Sequence, residues 1–252
     1  MLDLLKARLR QGRRTTKFPR EQVMLPARFR GRPVLDESKC REGCRACTDA
    51  CPTQAITTNP LRIDLGACLF CPVCEEACPE GAIVYTPDHR LAARSRADLV
   101  VAQGEAKLTT ALDAKMRKLF GRSLKLRHVA AGDCSGCAAE LSAAGNVVFD
   151  LGRFGIQFVA SPRHADGIVV TGPVSDNMRL ALLKTYEAVP PPKLVIAVGA
   201  CAISGGPFRG SAVVAGGAQA ALGGIPVDLL VPGCPPHPIT FLDGMLRLLG
   251  RL

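Results

Sequence analysis

The stretch CREGCRACTDACP (Cys40–Pro52) is followed, after a short gap, by CLFCPVCEEACP (Cys68–Pro79). The second run reads C-x2-C-x2-C-x3-C-P. The first reads C-x3-C-x2-C-x3-C-P, one residue longer before Cys44. Behind them ACPTQAI (Ala50–Ile56) recurs as ACPEGAI (Ala77–Ile83), 27 residues further on. Each copy is a cysteine run, a proline, a short turn and β-prone residues (AITT or AIVY), so 34–90 reads as one small domain built twice. A unit this short has little core and needs metal to fold.

The run C-x2-C-x2-C-x3-C-P wraps one corner of a four-iron, four-sulfur cube. Three closely spaced thiolates take three irons. The fourth cannot turn back, and the proline sends it toward the other cluster. The expected sets therefore cross over: Cys40, Cys44, Cys47 and Cys78 for the first, Cys68, Cys71, Cys74 and Cys51 for the second. Zinc sites instead pair two C-x-x-C units across a longer spacer. The extra residue sits in the gap before Cys44, where Gly43 would absorb it in a bulged turn. Arg41, Glu42 and Arg45 put charge beside the first cluster, so its potential should differ from its twin's.

The rest of the composition agrees with metal rather than disulfides. Of 252 residues 48% are hydrophobic, 12 are cysteine, and the formal net charge is +10. The cysteines are clustered, and MLDLLKARLR (Met1–Arg10) lacks the apolar stretch of a secretory signal. The twin arginines of GRRTTKF (Gly12–Phe18) precede no apolar segment and read as accidental. LVIAVGACAI (Leu194–Ile203) is far too short to span a bilayer. Residues 1–32 hold ten Lys and Arg against two acids, which leaves +2 for the other 220 residues. With only Phe18 and Phe29 as aromatics and no nucleic-acid motif, this arm reads as a basic tail for acidic partner subunits or membrane headgroups, or else a solvated tail. Three oxidised clusters at about −2 each would offset about six positive charges.

Residues 91–120 read as a linker. ADLVVAQG (Ala97–Gly104) is a short strand, and Leu108, Leu112, Met116 and Phe120 form one helical stripe in EAKLTTALDAKMRKLF (Glu105–Phe120). From residue 121 the pattern is α/β. VVFDL (Val147–Leu151), GIQFVA (Gly155–Ala160) and GIVVTGPV (Gly167–Val174) read as strands, and SDNMRLALLKTYEAV (Ser175–Val189) as a helix capped by Ser175. KLVIAVGAC (Lys193–Cys201) and IPVDLLVPGC (Ile225–Cys234) are strands running into glycine loops, and TFLDGMLRLLGRL (Thr240–Leu252) is a closing helix. This alternation predicts a mostly parallel sheet covered on both faces, with ligands bound in the loops after the strands' carboxyl ends.

Four cysteines remain: Cys134 and Cys137 in GDCSGCAAE (Gly132–Glu140), Cys201 in GACAISGGPF (Gly199–Phe208) and Cys234 in VPGCPPHP (Val231–Pro238). They can form one four-thiolate site drawn from three loops. Each single cysteine follows a strand and a glycine, where backbone approaches closely enough to offer N–H groups to cluster sulfurs. Spacing alone admits zinc or iron–sulfur.

These same blocks, with RFGIQFVASPRHADGIVVTGPV (Arg153–Val174), resemble the small subunit of membrane-bound [NiFe] hydrogenases of group 4, the formate-hydrogenlyase type. They are also similar to the homologous quinone-site iron–sulfur subunit of respiratory complex I. The front half, from FRGRP (Phe29–Pro33) onward, resembles the two-[4Fe–4S] ferredoxin subunit of the same complexes, here fused in one chain. The resemblance implies a flavodoxin-like C-terminal domain and a proximal [4Fe–4S] cluster on Cys134, Cys137, Cys201 and Cys234, making three clusters. The domains expected are a basic extension (1–33), the ferredoxin-like domain (34–90), a linker with helix (91–120) and the small-subunit-like domain (121–252). Complex I subunits carry adjacent cysteines at the first block, whereas Cys134-Ser135-Gly136-Cys137 is spaced as in hydrogenases.

Other residues follow from the same match. Glu140 corresponds to a family acid near the large-subunit interface and is a candidate for proton transfer, or a surface acid. Arg163, His164 and Asp166 are candidates for a site near the cluster or the partner interface, or a paired set holding their loop. His237 reads as a neighbour of the cluster or as solvent-exposed. His89 and His128 carry no signal. GGAQAALGG (Gly216–Gly224) is no dinucleotide motif, and no Ser-His-Asp, paired-carboxylate or phosphate-loop arrangement occurs.

The resemblance implies an electron-transfer subunit, inactive alone, peripheral on the cytoplasmic side of the cell membrane. Its expected partners are a large subunit with the nickel site, membrane-embedded subunits and an upstream donor such as a ferredoxin or formate dehydrogenase. No nucleic acid is expected. The alternatives are the same subunit in a nickel-free, quinone-reducing or ion-pumping complex, and an iron–sulfur redox sensor.

Overall fold

The computed structural model describes residues 2–104 and 107–252. Helix α1 (Leu2–Gln11) opens the chain. The duplicated segment folds as β1 (Pro33–Leu35), α2 (Ala46–Ala50), β2 (Ile56–Thr58), β3 (Leu61–Asp64), α3 (Val73–Ala77) and β4 (Ile83–Tyr85), and β5 (Val100–Val101) follows. β1 pairs antiparallel with β4; β3 pairs antiparallel with both β2 and β5. The duplication is repeated in the hydrogen bonds. Asp36 N–H donates to Ala82 O at 2.9 Å, and Asp64 N–H donates to Ala55 O at 2.8 Å. Gln54 and Gly81, at equivalent turns, have φ of +52° and +62°.

After α4 (Ala114–Phe120) come β6 (Leu124–Ala130), α5 (Gly136–Ala144), β7 (Ile156–Phe158), β8 (Gly167–Thr171), α6 (Asp176–Ala188), β9 (Leu194–Val198), α7 (Ala200–Ser204), α8 (Ala218–Ala221), β10 (Leu229–Val231) and α9 (Pro238–Leu248). The five strands form one parallel sheet in the order β7-β6-β8-β9-β10. β8 and β9 are buried along their whole length, as strands covered on both faces must be. Successive side chains alternate between two cores. Ile196, Val198 and Val231 meet Leu141 of α5 and Phe241, Leu242 and Met245 of α9. Val195, Ala197 and Leu230 lie on the other face with Leu182 of α6, in one continuous core with Ile63, Ile83 and Leu99 of the cysteine-rich segment. Each fully buried Val, Leu, Ile, Phe or Met side chain among them contributes about 1.5–3 kcal/mol. Ala93 exchanges both backbone hydrogen bonds with Leu230 (3.0 and 2.8 Å), so the linker covers the β10 edge.

Three sequence readings are corrected here. The stripe Leu108–Phe120 is helical only from Ala114, where Asp113 caps the helix by accepting Met116 N–H at 3.0 Å. Ahead of it the backbone bonds elsewhere: Leu112 N–H donates to Leu248 O at 2.9 Å and the Thr109 hydroxyl to Ala92 O at 2.6 Å. Glu105 and Ala106, which open the segment that carries the stripe, lie outside the described residues. VVFDL is a turn leading into a 3-10 segment, not a strand. The Asn146 side chain accepts Val148 N–H (2.8 Å) and Phe149 N–H (3.2 Å), which removes these donors from any ladder.

The basic arm, finally, is not a free tail from Thr16 onward. Thr16 N–H donates to Val148 O at 2.8 Å, Arg153 donates to Thr16 O (2.7 Å) and Phe18 O (2.9 Å), and Phe18 is buried. Further along, Gly31 N–H donates to Thr86 O (2.7 Å) and Arg32 N–H to Asp88 O (2.9 Å). Residues 16–32 are thus a strap joining the α/β half to the cysteine-rich half.

Candidate metal centres

All twelve cysteines are free thiols. Cys40, Cys44, Cys47 and Cys78 line one cavity, with Leu61, Ala82 and Ile83 as its apolar wall. Burial raises the Cys40 thiol, and the neighbouring Cys47, Cys78 and Cys44 add to the shift. Cys78, from the second run, therefore stands with the first. The reverse exchange is seen at the other end. Burial pushes the Cys68 thiol up to about 11, opposed by the Tyr85 hydroxyl and Phe70 N–H and reinforced by Cys74 and Cys51. Burial also raises Cys74, with Tyr85 opposing and Cys71 and Cys51 reinforcing. Cys78 thus shares a cavity with Cys40, Cys44 and Cys47, and Cys51 stands near Cys68 and Cys74.

The two halves differ in detail. Gly43 has φ +74°, but Phe70, its equivalent in the twin without the insertion, also has φ +54°. A left-handed residue before the second cysteine is thus common to both runs and is not the insertion's bulge. The extra residue is taken up by a turn closed by Cys44 N–H on Arg41 O at 3.1 Å. Arg41 is paired with Glu80, and Arg45 with Asp49 at 3.4 Å. In the second set the Tyr85 hydroxyl lies 3.5 Å from Cys68 Sγ and 3.6 Å from Cys74 Sγ. Thr58 takes the equivalent place beside the first set. Tyr85 escaped the sequence reading, although AITT against AIVY already displayed the difference.

Cys134, Cys137, Cys201 and Cys234 come together beyond the carboxyl ends of β6, β9 and β10, where ligands of parallel sheets bind. Burial pushes the Cys137 thiol up to about 12, and Cys201, Cys234 and Cys134 reinforce it. Burial raises Cys201 to about 11, with Cys234 and Cys134 adding. Cys134 and Cys234 are exposed. Glycine makes the approach possible: a Cβ on Gly199 (φ +92°) would lie 2.5 Å from Cys137 Sγ, and one on Gly206 (φ +53°) 3.0 Å from Cys201 Sγ.

The residues fit a cluster. Backbone N–H groups already aim at sulfur: Ala55 at Cys51 Sγ (3.3 Å), Ala82 at Cys78 Sγ (3.2 Å), Phe70 at Cys68 Sγ (3.3 Å). Such donors, apolar walls and all-thiolate sets suit iron–sulfur chemistry. Among the described residues no three Cys, His, Asp or Glu side chains converge on a single ion. Thiolates at the corners of a cube stand further apart than ligands sharing one ion, so the two facts agree.

The remaining candidates separate. Glu140 lies half-buried on α5 in the cleft that holds Cys71 and Cys234, and burial raises its carboxyl. Asp166 sits at the opposite, amino-terminal edge of the sheet, where its N–H and carboxylate bond Lys125 O and N–H, each at 2.7 Å. Arg163 and His164 are exposed beside it. None of the three borders the cysteines, which corrects their reading as neighbours of the cluster: the strand β8 stands between. His237 caps α9, accepting Ile239 N–H on Nδ1 at 3.2 Å, between the edges of Phe29 and Phe149. His128, given no role by the sequence, donates from Nε2 to the Thr171 hydroxyl (2.9 Å), which donates to Asp133 Oδ2 (2.6 Å) beside Cys134.

Cys71 and Cys234 line one cleft, so the second set faces the third, while the first set lines a separate cavity. Among the described residues no helix is long and apolar enough to cross a membrane.

Comparison with known proteins gives the same division. A 4Fe-4S dicluster domain matches residues 39–82, and the family described as NADH ubiquinone oxidoreductase, 20 kDa subunit, matches residues 134–248. A probable membrane-bound hydrogenase subunit of Pyrococcus furiosus is 44% identical over 140 residues, 55% of this chain and 81% of that protein. Formate hydrogenlyase subunit 7 of Escherichia coli is 41% identical over 141 residues, 56% of this chain and only 54% of its own length. An NADH-quinone oxidoreductase subunit of Citrifermentans bemidjiense is 42% identical over 149 residues, 59% of this chain and 84% of that protein. The matched family segment starts at Cys134 and contains Cys137, Cys201 and Cys234, and a dicluster 4Fe–4S segment precedes it, so this chain belongs to the NADH ubiquinone oxidoreductase 20 kDa subunit family.

Proposed function

We propose that this chain is the electron-transfer subunit of a multisubunit, membrane-associated [NiFe] hydrogenase of the formate-hydrogenlyase type, carrying three [4Fe–4S] clusters. The observation that supports it most is the cleft shared by Cys71 of the second set and the exposed Cys234 of the third, with the first set in a cavity of its own. The first set would be Cys40, Cys44, Cys47 and Cys78, the second Cys51, Cys68, Cys71 and Cys74, and the third Cys134, Cys137, Cys201 and Cys234. Bound clusters supply one-electron chemistry. The protein holds the three sets in order, dries their surroundings and aims N–H groups at sulfur. The exposed Cys134 and Cys234 mark the surface a large subunit with the active site would cover. The strand order β7-β6-β8-β9-β10 corresponds to 2-1-3-4-5 within residues 121–252, which supports a flavodoxin-like domain there, behind a ferredoxin-like domain at 34–90. The complex would sit on the cytoplasmic side of the cell membrane.

A second reading is the same subunit in a nickel-free, quinone-reducing complex, favoured by the near-equal identity to the NADH-quinone oxidoreductase relative. The C-x2-C spacing of Cys134 and Cys137 favours the hydrogenase. Metal analysis of the purified native complex decides between them. About twelve irons from this chain and nickel in a large partner are expected, with H2 turnover by the complex and none by this chain alone. A nickel-free complex that reduces quinone selects the second reading. Bound zinc with little iron overturns both.

A further inference from the structure

Two arginines reach across to the second cysteine set from outside the cysteine-rich segment. Arg30, on the strap, donates from Nε to Phe70 O at 2.6 Å. Phe70 lies between Cys68 and Cys71 in left-handed backbone, and its own N–H points at Cys68 Sγ. Arg30 also lines the cleft shared by Cys71 and Cys234. Arg209 donates from Nη2 to Thr53 O at 3.1 Å, and Thr53 is a buried residue two positions after Cys51. Arg209 itself belongs to the loop wrapped around Cys201: Gly205 N–H donates to Cys201 O (2.9 Å) and Arg209 N–H to Gly206 O (3.2 Å). Both ligand-bearing turns of the second set, at Cys51 and at Cys68–Cys71, are therefore gripped by a guanidinium anchored elsewhere. Among the described residues neither guanidinium is ion-paired.

We propose that Arg30 and Arg209 are positioning residues that hold the second cysteine set against the third and set the potential at that junction. The inference rests on the proposed ligand sets. The exchange it serves moves one electron from one set's cluster to the next, in either direction, with no bond made or broken. An uncompensated cation favours the more negative, reduced state of a nearby cluster, so each arginine raises its potential. The fork geometry of arginine fixes distance as well, which a lysine cannot reproduce.

The test uses the full chain with its clusters assembled, as parent, Arg30→Met, Arg30→Lys, Arg209→Met and Arg209→Lys. Iron per chain is measured first, then an EPR-monitored redox titration with the spin coupling between clusters. The Met variants are expected to titrate the second-set cluster at a more negative potential and leave the first-set cluster unmoved as internal reference. The Lys variants are expected to keep the potential but weaken the spin coupling. Selective loss of the second-set cluster in a Met variant, with the others kept, also supports the holding role. Parent-like titrations and coupling in all four variants, or equal shifts at the first set, overturn the proposal. A parent chain that assembles fewer than three clusters overturns the ligand sets themselves, and the proposal with them.

Discussion

Gly199 stands where β9 ends, and its missing side chain is what lets Cys137 Sγ approach the backbone. On the proposed ligand sets, Gly199→Ala is expected to remove the third cluster alone, lowering iron from about twelve to about eight per chain by metal analysis. Gly210→Ala is the control. It too has a positive φ (+86°), but open space around its Cβ, so it should keep all its iron at a cost of about 1 kcal/mol of stability. Tyr85 offers a second test. Its hydroxyl touches two thiols of the second set and none of the first. Tyr85→Phe removes a donor to sulfur and should lower the potential of the second-set cluster only, seen in a redox titration. Spacing predicts which thiols belong together, because C-x2-C-x2-C confines three of them to one short loop. It could not show Tyr85, which reaches the set from a strand 11 residues beyond Cys74.

At the level of elements, the buried strands β8, β9 and β10 were legible as continuous apolar runs, and α6 was legible between Ser175 and the prolines at Pro190. The failures were elements whose backbone donors were claimed by a side chain or by another segment. Asn146 turns a β-prone run into a turn, and Leu248 draws Leu112 out of a helical stripe. The strap is the third such case. Asp88 accepts Arg90 Nε at 2.7 Å and Arg32 Nη2 at 2.7 Å, while its carbonyl accepts Arg32 N–H. Burial raises the Asp88 carboxyl, but the Arg90 and Arg32 contacts outweigh it, and the net shift is downward. A lowered carboxylate adds stability that is present above its unfolded value and is lost as pH falls through the folded one. Asp88→Asn should therefore destabilise the loaded chain by about 1–3 kcal/mol at pH 7. The difference from the parent should shrink below about pH 4, as thermal melts across pH would record.

Across the whole molecule, one continuous core joins the cysteine-rich segment to a face of the parallel sheet, and the segment's share of it includes the candidate ligands Cys47, Cys68 and Cys74. Removing iron with a chelator is expected to make residues 34–90 sensitive to limited proteolysis while the sheet persists, its two faces being packed without metal. Simultaneous loss of both would show that the clusters hold the entire chain together. The sequence by itself determined the duplicated cysteine runs and the parallel α/β pattern, since both rest on short-range periodicity and spacing. The third set needed family resemblance, because its members come from three separate loops. Only the tertiary structure decided which sets face one another, that the basic arm is a strap, and that Arg30 and Arg209 close on the second set. Those contacts join residues 40 and 156 positions apart, and their formation depends on how the two halves pack, which no local pattern encodes.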